Sequence, residues 1–187
     1  MRLPLRKTLT YAIGAAILSP AMLFAASDGC GTCNAEPTAE SYTWNFTKEG
    51  SQLLNRINDQ IRMVKDDAAT LERQDVELNW KTHSITLDRM KTNVNKAGDE
   101  LCRLQEIQHT LQPWQQEALA RIAPEMKIVA TNTQNAIEFL QDNRQDLYNP
   151  TYEEYISNVY ERADRVNLFV NYSQMKNRVN MATERPS

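Results

Sequence analysis

Glycine and histidine are both scarce in this chain, and their scarcity removes whole classes of chemistry. Only five glycines and two histidines occur in 187 residues. No glycine-rich phosphate loop and no serine elbow can be found, and no nucleophile, base and orienting group can be assembled around two imidazoles. Basic residues are not in excess either: 21 Lys and Arg stand against 24 Asp and Glu, a net charge of −3. Nucleic acid and anionic membrane surfaces attract stripes of Lys and Arg, so neither is an expected partner. The second half of the chain has no apolar run long enough to cross a bilayer.

The one long apolar run is at the start. Arg2, Arg6 and Lys7 precede an apolar stretch from Thr8 to Phe24, Pro20 falls near its end, and the small residues Ala25, Ala26 and Ser27 follow. Residues 1–27 are therefore expected to be an export signal, cleaved after Ala25 or Ser27, with no membrane span left afterwards. Cleavage would leave 18 Lys and Arg against the same 24 acids, a net charge of −6. The expected location is the bacterial periplasm or the exterior. Residues 28–43 read as a flexible tail, because Gly29, Gly31 and Pro37 come with little apolar content. Within it, Cys30-Gly31-Thr32-Cys33 lacks the strand-and-helix setting of a redox motif, and Asn34 stands where haem attachment needs histidine. An oxidising compartment favours a disulfide between Cys30 and Cys33. Cys102 beside Leu101 reads as a half-buried thiol, with a disulfide between chains as the other reading.

From Lys48 to Gln112 there is no proline and only two glycines, Gly50 and Gly98, so helix is nearly forced. Leu54, Ile57, Ile61, Val64, Ala68 and Leu71 form one seam at steps of three and four. A second runs through Val76, Trp80, His83, Leu87, Met90, Val94, Ala97, Leu101, Leu104, Gln108 and Leu111 at steps averaging 3.5, the signature of helix-on-helix packing. The two registers do not join, so a turn is expected between about Arg73 and Asn79. Pro113 suits the first position of a third helix, whose seam runs from Leu119 to Leu147 with a kink or a fresh start at Pro124. Asn149 as N-cap and Pro150 at the first position open a fourth, with Tyr152, Ile156, Val159, Ala163, Val166 and Val170 on its seam. The expected fold is all-α: an antiparallel up-down four-helix bundle with coiled-coil-like packing over residues 44–182, and a disordered end at 183–187. The competing architecture runs the first two helices together as one rod.

Trp80-x-x-His83, Asn95-x-x-Gly98, Pro113-Trp114-Gln115-Gln116, Asn132-Thr133 followed by Ile137 and Leu140, and Pro150-x-Tyr152-x-x-Tyr155 form a pattern. It resembles an uncharacterised family of short exported bacterial helical proteins, over the stretch from about Trp80 to Tyr155. The resemblance implies a bacterial envelope protein, and it brings no activity or functional residues with it.

Three polar residues, His83, Gln108 and Thr133, occupy seam positions. They are expected either to bond across the bundle and fix its register or to line a polar pocket. Tyr148, Tyr152, Tyr155 and Tyr160 cluster around the turn into the last helix, as a binding patch or as partial burial at the junction. Glu106-x-x-His109 matches half of a di-iron bundle motif but has no second copy and lies off the seam, so no metal and no cofactor is expected. The function expected from these features is non-enzymatic: protein–protein interaction or self-association in the cell envelope. The runner-up is a carrier or sensor of a small apolar ligand held between the helices.

Overall fold

The computed structural model describes residues 46–73, 79–144 and 146–183, all within the unit that runs from Ala35 to Ser187. The expected export signal (residues 1–27) and tail (28–43), Val76 and the last four residues lie outside the described residues. Among the described residues there are four α-helices: α1 (Phe46–Glu72), α2 (Trp80–Glu106), α3 (Pro113–Asp142) and α4 (Pro150–Thr183). A short 3-10 turn, Gln108–Thr110, connects α2 to α3. The rod architecture is excluded, because α1 and α2 pack against each other as separate antiparallel helices.

The helix ends follow from local chemistry. The Asn79 carboxamide accepts from the N–H groups of Lys81 and Thr82, at 3.0 and 3.2 Å, and so opens α2. Asn149 does the same for Thr151 at 3.0 Å, with Pro150 at the first helical position and Glu153 in the first turn. At α3 the Gln115 side chain reaches back to accept the Gln112 N–H at 2.9 Å. α3 continues through Pro124 without a fresh start. The proline is exposed, as is Ala120, whose carbonyl loses its helical donor, so water can replace the missing bond.

Cross-helix ion pairs give the directions. Arg103 with Glu49, Arg56 with Glu100 and Arg89 with Asp67 run α2 antiparallel to α1. Lys65 paired with Asp164, together with the hydrogen bond from Gln174 to Asn55, runs α4 antiparallel to α1. Lys176 with Glu117 sets α4 against α3 in the same way. Neighbours pack in the cyclic order α1, α2, α3, α4 and back to α1, so α1 faces α3, and α2 faces α4, diagonally across one core. The seams fill that core. Leu54, Ile57, Ile61 and Val64 of α1, Met90 and Ala97 of α2, Ile122 and Val129 of α3, and Val159, Val166 and Val170 of α4 are fully buried.

Candidate functional site

The diagonals carry the most informative polar contacts. Near the start of α2, His83 Nδ1 lies 2.9 Å from the hydroxyl of Tyr152 on α4, and both side chains are buried. The rings tilt at 43° with centroids 5.6 Å apart, and Phe139 of α3 packs on the other side of the tyrosine at 5.7 Å. Burial lowers the His83 pKa and raises that of Tyr152, so the pair is a neutral imidazole with a neutral phenol. The other diagonal is bonded at the opposite end. Gln115 of α3, with no exposed surface, donates from Nε2 to the Thr47 carbonyl at 2.8 Å and to Ser51 Oγ at 3.0 Å on α1.

A cavity of about 460 Å³ opens beside the His83–Tyr152 pair, where the end of α1 meets the starts of α2 and α4. Leu71, Leu147, Ile156 and the Tyr152 ring give it apolar walls, and His83, Tyr148 and Ser157 are uncharged polar residues that line it. Glu72, Arg73, Glu153 and Glu154 bring charge to it.

The expected polar positions come apart. His83 is buried and bonded across the bundle. Thr133 is 2 % exposed, yet its hydroxyl has no hydrogen-bond partner among the described residues, so it pins nothing. Gln108 is exposed. α2 ends at Glu106, and the tighter 3-10 turn that follows rotates Gln108 off the seam while Ile107 and Leu111 take the buried places. The tyrosines do not form a surface patch. Tyr152 is core, Tyr155 and Tyr160 are half-buried against the core, and only Tyr148, 66 % exposed, faces water. Helical spacing explains this, since Tyr152 shares the core face with Ile156 and Val159. Cys102 is half-buried, as the sequence indicates, but it is disulfide-bonded and so not a thiol. Cys30 and Cys33 lie outside the described residues.

Sequence reasoning missed three things: Gln115 as a buried pin, Tyr152 as the partner of His83, and a second apolar line on α4. Leu168, Tyr172, Met175 and Val179 are 61, 47, 59 and 56 % exposed. Their steps of four, three and four place them on one stripe, diametrically opposite the buried Val166, Val170 and Ser173. That spacing is readable in the sequence once it is counted separately from the core seam.

Two outcomes follow from these burials. Thr133→Val, which keeps the shape and removes the unpaired hydroxyl, is expected to raise unfolding free energy by about 1 kcal/mol, measured by guanidinium denaturation. For His83 the folded pKa lies below the ordinary value near 6.5, so on acidification the unfolded chain takes up a proton that the folded chain refuses. Stability is then full above about pH 7, falls as pH drops through about 6.5, and stops falling below the folded pKa. Denaturation curves recorded between about pH 7 and 5 should show a smaller decline in His83→Gln than in the parent.

Comparison with known proteins finds no match: no family model fits the chain, and no curated protein or solved structure is significantly similar to it.

Proposed function

We propose that this protein is an exported, non-enzymatic helical bundle of the bacterial envelope that works by binding, and that it associates with a second copy of itself through the outer face of α4. The observation that carries the reading is the exposed line of Leu168, Tyr172, Met175 and Val179. An ordinary solvent-facing helix surface is polar, and apolar residues at heptad-like steps are what a partner helix covers. The 4-3-4 spacing reads the same in both directions. A two-fold axis beside residues 173 and 174 would set Leu168 against Val179 of the second copy and Tyr172 against its Met175, the self-matching arrangement of a symmetric dimer.

Four partly exposed side chains offer only a few hundred Å² per copy, below the roughly 800 Å² per partner of a standard stable interface. Association is accordingly weak and concentration-dependent. Sedimentation of the mature chain over a wide concentration range should show its average mass climbing toward that of a dimer. Leu168→Lys with Met175→Lys should hold it at monomer mass with an unchanged thermal melt, because neither side chain is in the core. A parent chain that stays monomeric throughout defeats self-association. Crosslinking in intact cells to a different envelope protein, lost in the double variant, would put that protein in place of the second copy.

The export signal and the resemblance to exported bacterial proteins support the envelope location, which fractionation of cells expressing the full chain tests. A second reading, a carrier or sensor of a small apolar ligand, is favoured by the end cavity, whose volume falls within the roughly 300–1,000 Å³ of small-molecule sites.

A further inference from the structure

The polar group on the wall of the end cavity restricts the chemistry of any occupant. We propose that this cavity binds an uncharged, largely apolar molecule bearing one hydrogen-bond acceptor, such as a ketone or ester oxygen, which receives the Nε2–H of His83. This rests on the ligand-carrier reading and specifies what the ligand presents.

Proton placement leads to the donor. The Tyr152 hydroxyl is buried, and its one hydrogen-bond contact among the described residues is His83 Nδ1 at 2.9 Å. Were Nδ1 to carry the ring proton and donate it, the phenol proton would have no acceptor among the described residues. The phenol therefore donates to Nδ1. A neutral imidazole holds a single N–H, so the proton sits on Nε2. Burial keeps the ring neutral. Nε2 has no hydrogen-bond partner among the described residues, yet it is not one of the sealed, unsatisfied polar atoms, and His83 lines the cavity. The N–H therefore opens onto a space whose aliphatic walls, Leu71, Leu147 and Ile156, accept no hydrogen bond, and whose acceptors are carried by Tyr148, Ser157 and the lining Glu side chains.

Charge around the cavity decides between acceptors. Glu72 and Glu154 outnumber Arg73, so a carboxylate or phosphate would enter against like charge. A neutral oxygen enters without that penalty. The apolar walls then bury the rest of the molecule, which is where most of the affinity of such sites originates.

Four naphthalenes of one size test the proposal by titration calorimetry on the mature chain: 2-acetylnaphthalene with a neutral acceptor, 2-ethylnaphthalene with none, anionic 2-naphthoate, and cationic 2-naphthylmethylamine. The acetyl compound should bind about tenfold or more tightly than each of the others, and Ser157→Trp, which projects into the cavity from a half-buried position, should abolish its binding. Nitrogen chemical shifts of the His83 ring in the unmodified protein should report an Nε2-protonated tautomer whose N–H signal moves on adding 2-acetylnaphthalene. Equal binding of the acetyl and ethyl compounds, a preference for either charged compound, or an Nδ1-protonated ring overturns the acceptor proposal while leaving the cavity a ligand site. Failure of all four to bind, or binding untouched by Ser157→Trp, overturns the ligand reading with it.

Discussion

Alanine at Tyr152 is expected to cost about 3–5 kcal/mol of folding free energy, the range for emptying a large aromatic side chain from a packed core. Two losses add here. The ring is 2 % exposed and stacked between His83 and Phe139, so its removal leaves a hole where α2, α3 and α4 meet. The hydroxyl is also the hydrogen-bond partner of His83 Nδ1, which would be left buried and unsatisfied. Tyr152→Phe separates the two, since it keeps the ring and removes only the donor, and it should cost about 1–2 kcal/mol. Guanidinium denaturation of both variants with unchanged m-values checks the split. Near-equal losses would mean that the hydrogen bond, not the ring, holds that end together.

Valine at Gly50 is the second large effect. A Cβ built there would lie 2.5 Å from Leu111 Cδ2 and 3.0 Å from Gln115 Nε2. Leu111 is packed in the core and Gln115 is held by Thr47 and Ser51, so making room for the branched side chain shifts one and strains the bonds of the other. Gly50→Val should cost about 2–3 kcal/mol through overpacking, despite replacing glycine within a helix. Gly98 is the control. Nothing lies within 4 Å of its Cβ position, and Gly98→Ala should stabilise α2 by about 0.5–1 kcal/mol. Thermal melts of the two variants should move in opposite directions.

Most of the four seams, the breaks at Pro113 and Pro150 and the cap at Asn149 were legible in the sequence because each is a local rule: a period, a fixed φ, a side-chain acceptor; the seam count failed at Trp80, which is 38 % exposed, and at Leu147, which lies beyond the end of α3. What could not be read needs a neighbour from elsewhere in the chain. Gln108 continues the heptad count on paper, but the count holds only while the helix does, and nothing local announces that α2 tightens after Glu106. Nothing local marks Gln115 as a pin, because the Thr47 carbonyl that receives its amide is 68 residues away. Tyr152 was visible as a seam residue, yet its bond to His83 depends on which helices sit diagonally. The outer line of α4 was within reach of spacing alone, masked by a core seam that runs through the same residues half a turn away.

The two diagonal bonds have a topological effect. A four-helix ring can come apart into hairpins in two ways, α1α2 from α3α4 or α4α1 from α2α3. The His83–Tyr152 bond joins α2 to α4 and the Gln115 bonds join α3 to α1, so each of the two partings severs both latches, at opposite ends of the molecule. Neither hairpin can leave by unzipping from one end alone. Complete exchange of a hairpin between copies must therefore break both latches, one at each end of the bundle.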